Sequence, residues 1–159
     1  MKKLKIYLDS SIFSHLSAQD TPEKMADTLM LWEDLLKDKY EIVISDAVVK
    51  EIDECEEPKR SFMFAQIEKI PVKLVYIDQA GEELAQEFIN LGILKKKNLT
   101  DCKHISVALL TKCDIIVSWN FKHIVNDKTI EGVKTIEKIK GFNGIKIYCP
   151  SILIGGEND

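Results

Sequence analysis

The chain has 159 residues, of which 45% are hydrophobic and 30% are charged. This size and balance suit one globular domain over residues 1–159 and exclude a disordered segment. The formal net charge of -4 excludes a protein that simply coats a polyanion. It remains compatible with an acidic site that needs a cation, or with a local basic patch on an acidic body.

The four cysteines match no zinc-site spacing, and we expect reduced, mostly buried thiols rather than disulfides. No apolar run approaches the ~20 residues that span a bilayer. The first residues lead straight into a strand rather than a targeting signal. These features predict a cytoplasmic protein that makes no membrane contact.

The first predicted strand, residues 6–8, ends at Asp9 and is followed by Ser10 and Ser11. Either serine can cap the following helix and orient the aspartate. Asp9 has two interpretations at this point. It is itself a helix cap, or it is an acid at the carboxyl edge of a sheet, where open α/β sheets place ligands and chemistry.

Further elements alternate between helix and strand along the rest of the chain. Glu51 follows the second strand by only a turn or two, which places it near the same sheet edge as Asp9. Asp101 falls in the first turn of a later helix, where the helix dipole alone also favours an acid. The predicted elements are a helix opened by Thr21 and Pro22, strand 42–44, a helix begun at Ala47 and ended by Pro58, helix 62–70 stopped by Pro71, strand 72–77, helix 82–91 closed by Gly92, a helix capped by Thr100, strand 115–117, helix 129–139, strand 145–148 and a polar tail.

The alternation predicts a parallel sheet with helices on both faces, which gathers the residues after its strands into one crevice. Four oxygen-bearing side chains are candidates for that crevice: Asp9, Glu51, Asp101 and Asn120. Without a matching histidine or thiol set, they indicate a hard cation, with Mg²⁺ or Mn²⁺ fitting best. Such an ion activates water and polarises a phosphoryl group, so the chemistry indicated is hydrolysis of a phosphodiester.

Residues 7–11, 45–52, 99–108 and 117–123 resemble, in order, the four signature segments of the PIN-domain family. The resemblance implies a three-layer α/β/α sandwich around a mainly parallel sheet of four to five strands. It also implies a metal-dependent endoribonuclease, commonly the VapC-type toxin of a type II toxin–antitoxin pair. RNA, a cognate antitoxin and a second copy of the chain are the partners that it implies.

Residue by residue, Asp9, Glu51 and Asp101 match the acidic positions of the family, and all three are the expected metal ligands. Asn120 stands where many members carry a further aspartate. Asparagine supplies a carbonyl oxygen but no charge, which favours either a single metal ion or weaker metal affinity. We expect Asn120 to act in catalysis by orienting the attacking water or a metal-bound water.

An acidic protein must still hold its RNA, and several polar or basic residues flank the acidic segments. The lysine run 95–97 is either part of this surface or an ordinary solvated loop. The expected substrate contacts are Ser10, Ser11, Lys103, Lys122 and His123.

Two other functions stay open. An aspartate-nucleophile phosphatase of the haloacid dehalogenase type also begins with a strand that ends in aspartate, but it needs a second aspartate two residues later, where this chain has Ser11. A catalytically degenerate PIN-like module that binds RNA or protein would retain the fold without the reaction.

Overall fold

A single sheet of five parallel strands forms the centre of the molecule, in the order β3-β2-β1-β4-β5. It is seen in a computed structural model, which describes residues 2–156. The strands are β1 (Lys5–Leu8), β2 (Glu41–Ser45), β3 (Val72–Val75), β4 (Ile115–Val117) and β5 (Lys146–Tyr148).

Helices connect successive strands and cover both faces of the sheet, which gives three layers, α/β/α, as predicted. The amphipathic segments between the strands are long enough to form the helical crossovers that parallel strands require. Within the described residues the helices are α1 (Ser10–Ser14), α2 (Pro22–Leu36), α3 (Asp46–Asp53), α4 (Lys59–Ile67), α5 (Gln79–Asn90), α6 (Leu99–Leu110), α7 (Asp127–Lys140) and α8 (Pro150–Gly155).

The core is built around β1, the middle strand. Ile6, Tyr7 and Leu8 are fully buried, because strands on both sides and helices on both faces cover them. Ile6 lies opposite Ile42 of β2 and Ile115 of β4. The apolar runs read from the sequence are thus the interior strands of a parallel sheet, buried on both faces.

The order of the strands places a switch point beside β1. From β1 the chain adds β2 and β3 on one side, and it then returns to add β4 and β5 on the other. In open α/β sheets the crevice outside the carboxyl ends of the strands at such a point is where ligands bind. The residues that directly follow β1 and β4 therefore face one another.

Several element boundaries differ from the predictions. Thr100 lies inside α6, whose cap position is Asn98. The predicted start of α2 is confirmed, with Thr21 at the N-cap position and Pro22 as the first helical residue, although Thr21 makes no capping hydrogen bond. Pro58 precedes α4 rather than ending α3, which already stops at Asp53. α8 lies where a polar tail is expected. Its Leu153 is buried against the core, and this apolar contact holds the segment in place.

The cysteines and the helix lengths also bear on the predictions. All four cysteines are free, and Cys102, Cys113 and Cys149 are buried, as predicted. Between residues 2 and 156, no helix combines the length and the apolar character needed to cross a membrane.

Candidate active site

Asp9 directly follows β1 and is almost completely buried, with 3% of its surface exposed. It is the N-cap of α1, because its Oδ1 accepts the backbone N–H of Ser11, and the Ser11 hydroxyl donates to the same oxygen. Oδ2 accepts the hydroxyl of Ser118, the residue that follows β4, at 2.6 Å. The cap and the sheet-edge acid are therefore the same residue, and both carboxylate oxygens are held.

Asp101 lies in the first turn of α6 and is linked to Asp9 through two polar side chains. Asn120 Nδ2 donates to Asp101 Oδ1 at 3.2 Å, and the Asn120 backbone N–H donates to Ser118 Oγ at 2.9 Å. Asn120 Oδ1 accepts the backbone N–H of His123 at 2.9 Å. The amide of Asn120 is thus engaged at both ends by protein groups.

Glu51 of α3 is held at the same edge by a buried histidine. His104, one turn after Asp101 on α6, lies with Nε2 against Glu51 Oε1, and Ser10 Oγ donates to that oxygen at 3.1 Å. The other ring nitrogen, Nδ1, is 2.6 Å from the hydroxyl of Tyr7, which is 2.8 Å from Ser45 Oγ. The Glu51–His104 pair therefore lies on a hydrogen-bonded chain that runs back into the sheet.

Burial and mutual repulsion act on the carboxylates. Burial raises the pKa of Asp9 and that of Asp101, and the negative charge of Glu51 adds to both shifts, although His104 opposes them. Like charges in one cleft favour protonation unless a cation compensates them. Glu51 thus acts electrostatically on both aspartates, and the structure brings all three acids near His104, whose charge acts on each of them.

Glu51 and His104 behave as an ion pair. Burial alone would raise the pKa of Glu51, but the hydrogen bond and the charge of His104 lower it below its usual value. Burial alone would lower the pKa of His104, but Glu51 raises it, with smaller contributions from Asp9 and Asp101. Both groups are therefore favoured in their charged forms, unlike Asp9 and Asp101.

The residues expected to contact a substrate have different surroundings. Ser10 and Ser11 direct their hydroxyls onto Glu51 and Asp9. Lys103 Nζ is 3.3 Å from Glu82 Oε1, so part of its charge is compensated. Lys122 and His123 line a groove next to Asn120.

Four residues of the site were not assigned to it from the sequence: Tyr7, Ser45, His104 and Ser118. Ser118 directly follows a buried strand and Ser45 ends one, which is the signal that identified Asp9. Tyr7 had no such signal, because a tyrosine within an apolar strand is typical of a core. His104 stands three residues after Asp101, on roughly the same face of the predicted helix, which is compatible with a role in proton transfer but does not indicate its pairing with Glu51.

The donor set fits a hard cation, although no group of three or more His, Cys, Asp or Glu side chains between residues 2 and 156 is arranged as a metal site. In that part of the chain Asp9 and Asp101 accept hydrogen bonds only from hydroxyl, amide and backbone groups, so no cationic side chain neutralises them directly. Mg²⁺ commonly binds through one or two carboxylates, waters and substrate phosphate. Asp9 is buried, Asp101 is half-buried, and neither forms an ion pair within the described residues. Two such carboxylates match that mode better than a complete protein cage.

Two solved bacterial structures share this fold. VapC20 from Mycobacterium tuberculosis, described as a sarcin-ricin loop cleaving toxin, has a TM-score of 0.60 at 17% identity, over 75% of this chain and 92% of that one. VapBC2 from Rickettsia felis, solved with a fragment of its promoter DNA, has a TM-score of 0.51 at 16% identity, over 91% of this chain and 98% of that one. No family model and no curated protein matches the sequence. The likeness is thus one of structure, and it establishes that this chain has the VapC-like PIN-domain fold.

Proposed function

We propose that the chain is a metal-dependent endoribonuclease that hydrolyses RNA phosphodiester bonds, and that it is the toxin of a type II toxin–antitoxin pair. One observation carries the proposal. Asp9 and Asp101 lie at the switch point of the sheet, are joined through Ser118 and Asn120, and form no ion pair within the described residues. Negative charge in such a crevice favours the binding of a divalent cation and, together with that ion, of a phosphate substrate.

Asp9, Asp101 and Glu51 are the residues that would hold Mg²⁺ or Mn²⁺. When bound, the ion supplies a water of lowered pKa and polarises the phosphoryl group. Ser118 fixes the carboxylate of Asp9, and Asn120 fixes that of Asp101. We assign Asn120 to orienting this carboxylate, because protein groups occupy both ends of its amide.

His104 and Ser10 act on the third carboxylate. Both bond to Glu51 Oε1, which leaves Oε2 for an ion or a water. The charge of His104 also keeps Glu51 ionised. Loss of a partner that orients a metal ligand commonly lowers metal affinity or activity by about 10- to 100-fold. His104 is therefore a positioning residue rather than a catalytic one.

We assign the substrate contacts to the residues that surround these acids. Lys122 and His123 stand beside Asn120, on the side of the cleft where positive charge is not compensated. Lys103 stands on the other side, near Glu51, and shares its charge with Glu82. The hydroxyls of Ser10 and Ser11 already donate to Glu51 and Asp9. Each serine could therefore contact a bound phosphate only where that phosphate lies beside these carboxylates.

The toxin role rests on the likeness to VapC20 and VapBC2. We extend it to this chain as a proposal with three parts. RNA is the substrate, a cognate antitoxin is the protein partner, and two copies of the chain form a homodimer. The activity would be exercised in the cytoplasm, where its RNA substrates are found.

The test is cleavage of end-labelled RNA by the purified chain in Mn²⁺ or Mg²⁺. We expect EDTA to abolish cleavage, and we expect Asp9→Asn and Asp101→Asn to reduce it at least about 100-fold, since metal-assisted charge stabilisation is worth several kcal/mol. Asp53→Asn is the matched control, because Asp53 is an exposed acid at the end of α3 and should leave the rate unchanged.

Cleavage that persists in EDTA, or that is equally strong in Asp9→Asn, would contradict the proposal. A wild-type chain that binds RNA but cleaves none with either ion would instead be a degenerate PIN-like binding module.

A further inference from the structure

A groove of about 210 Å³ lies beside the candidate active site, between the segment that precedes α6 and the start of α7. Lys95, Lys97, Lys122, His123 and Lys128 line it, and we call it the lysine groove. No carboxylate lines it within the described residues. Two separate segments of the chain, residues 93–98 and 122–129, bring these cations together, so the clustering is a product of the fold and not of the lysine run alone.

The lysines of this groove differ from four other lysines in the chain. Lys3, Lys103, Lys134 and Lys140 each form an ion pair with a carboxylate. Among residues 2–156, none of the four groove lysines does, and all four are exposed. Positive charges that repel one another without a local partner create a field that attracts a polyanion, even on a chain whose formal net charge is -4.

Hydrogen bonds to α7 fix the wall of the lysine groove. Asn126 caps this helix, and its side-chain amide donates to the carbonyl of Lys122 at 3.1 Å. The hydroxyl of Thr129 donates to the carbonyl of His123 at 2.8 Å. Lys122 and His123 therefore extend from a segment whose backbone is held in place, which lowers the entropic cost of binding.

The lysine groove is continuous with the carboxylate site. The His123 backbone N–H donates to Asn120 Oδ1, and Asn120 in turn donates to Asp101. The charge of His123 also lowers the pKa of Asp101, against the larger effect of burial. A polymer that occupies the groove would thus extend directly to the acids.

We propose that the lysine groove binds the phosphodiester backbone of the RNA strand, on one side of the bond that is cleaved. The inference rests on the proposed function for the identity of the polymer. Regularly spaced phosphates match four separate cations better than a single small anion does, and contacts of this kind position a strand without reading its sequence.

The experiment measures binding rather than cleavage. Fluorescence anisotropy is recorded for a 5′-labelled, mixed-sequence single-stranded RNA of about 15 nucleotides, a length chosen to exceed the span of a few phosphate contacts. The chain carries Asp9→Asn and the buffer contains EDTA, so the strand stays intact. The groove variant is Lys95→Gln/Lys97→Gln/Lys128→Gln. The control is Lys37→Gln/Lys59→Gln/Lys69→Gln, which removes the same charge from exposed positions elsewhere.

We expect the groove variant to lose about tenfold or more in affinity at 100 mM salt, and its salt-dependence slope to fall by about 2, since each phosphate contact on a single strand contributes about 0.7. The control should retain both values, and matching circular dichroism melts would show that both proteins are folded.

Equal affinities and slopes for the two triple variants would overturn the proposal, as would a parent protein that binds poly-glutamate more tightly than RNA. Loss of RNA binding in the groove variant, together with a wild type that never cleaves, would sustain the lysine groove while removing the proposed nuclease function.

Discussion

The buried chain from Ser45 to Glu51 has a definite hydrogen-bond direction once His104 carries its proton. Both ring nitrogens of a charged histidine donate, so Nε2 donates to Glu51 and Nδ1 donates to the Tyr7 hydroxyl. Tyr7 must then donate to Ser45 Oγ. Burial raises the pKa of Tyr7 well above its usual value, so the phenol keeps this proton. Each polar side chain of the chain thus has at least one hydrogen-bond partner, which makes a buried charge tolerable.

This pair makes stability depend on pH in a definite sense. The pKa of His104 is raised above its usual 6.5, so its contribution is complete below that value and is lost as pH rises through the raised pKa. The pKa of Glu51 is lowered from 4.5, so its contribution is complete above 4.5 and is lost as pH falls through the lowered pKa. The pair therefore contributes fully between these two usual values.

We predict that the wild type loses stability as pH rises from about 6.5 through the raised pKa of His104, and that His104→Gln does not show this loss. We expect the difference to be about 1–2 kcal/mol, below the usual cost of breaking a buried pair, because the side chain of Glu51 is 35% exposed. Urea unfolding in EDTA at four or five pH values measures it.

His15→Gln is the matched control for this experiment, since the pair does not include His15 and that variant should keep the slope of the wild type. A wild type as flat as His104→Gln above pH 6.5 would show that the histidine is neutral in the fold.

At the same scale, the sequence indicated some residues of the site and concealed others for a physical reason. Asp9 and Asp101 stand at the end of a strand and at the start of a helix, positions that local patterns reveal. The partner of His104 is Glu51, which is 53 residues away. Only the packing of α3 against α6 brings the two together, so no local pattern carries that information.

At the scale of elements, α7 packs closely against the segment that follows α5. An ideal Cβ built on Gly132 would lie 2.4 Å from Ile93 Cγ2 and 2.8 Å from its Cγ1. Ile93 is buried and β-branched, so its side chain has few rotamers with which to move away. Glycine is therefore needed in this helix for close approach, although it is a poor helix former.

We predict that Gly132→Ala destabilises the chain by about 1–2 kcal/mol, because overpacking outweighs the gain of about 1 kcal/mol in helix propensity. Urea unfolding measures the effect. Adding Gly132→Ala to Ile93→Ala should cost nothing further, since the clashing atoms are then absent. Gly144→Ala, at a position with open space around it, is the control. A more stable Gly132→Ala protein would show that the contact is loose.

The elements also show where prediction from the sequence stops. Gly92 has a φ of +74° just after α5, the left-handed conformation that made it a recognisable helix end. α8 has only 6 residues, too few for a hydrophobic period to be seen. It is held by Leu153 in the core and by the Ser151 hydroxyl, which donates to Asp27 of α2. Contacts with a distant helix, rather than its own pattern, determine this element.

On the scale of the whole molecule, alternation along the chain predicts the class of fold, but it does not predict the order of the strands. The return of the chain from β3 to the far side of β1 is a non-local event, decided by which pairing buries β1 completely. That order creates the crevice and brings Ser118 to Asp9 across 109 residues. The lysine groove depends on it in the same way, because Lys122 and His123 directly follow the loop at the end of β4.

The same architecture predicts that a divalent cation stabilises the entire fold. Burial raises the pKa of Asp9 and of Asp101, so in the absence of a cation each ionised carboxylate costs folding free energy at neutral pH. An ion that binds only the folded chain repays this cost and adds RT ln(1 + [L]/Kd), about 2.7 kcal/mol at 100 times Kd.

We therefore expect Mn²⁺ or Mg²⁺ to raise the thermal midpoint of the wild type, measured by differential scanning fluorimetry against EDTA. The rise should shrink as pH falls through the raised pKa values of the two acids, because protons then compete with the ion. Asp9→Asn should melt higher than the wild type in EDTA, by an amount equivalent to about 1 kcal/mol, and should respond less to metal. Asp53→Asn should match the wild type in both conditions. An equal response of all three proteins to metal would place the bound ion elsewhere on the surface and would show that Asp9 and Asp101 do not bind it.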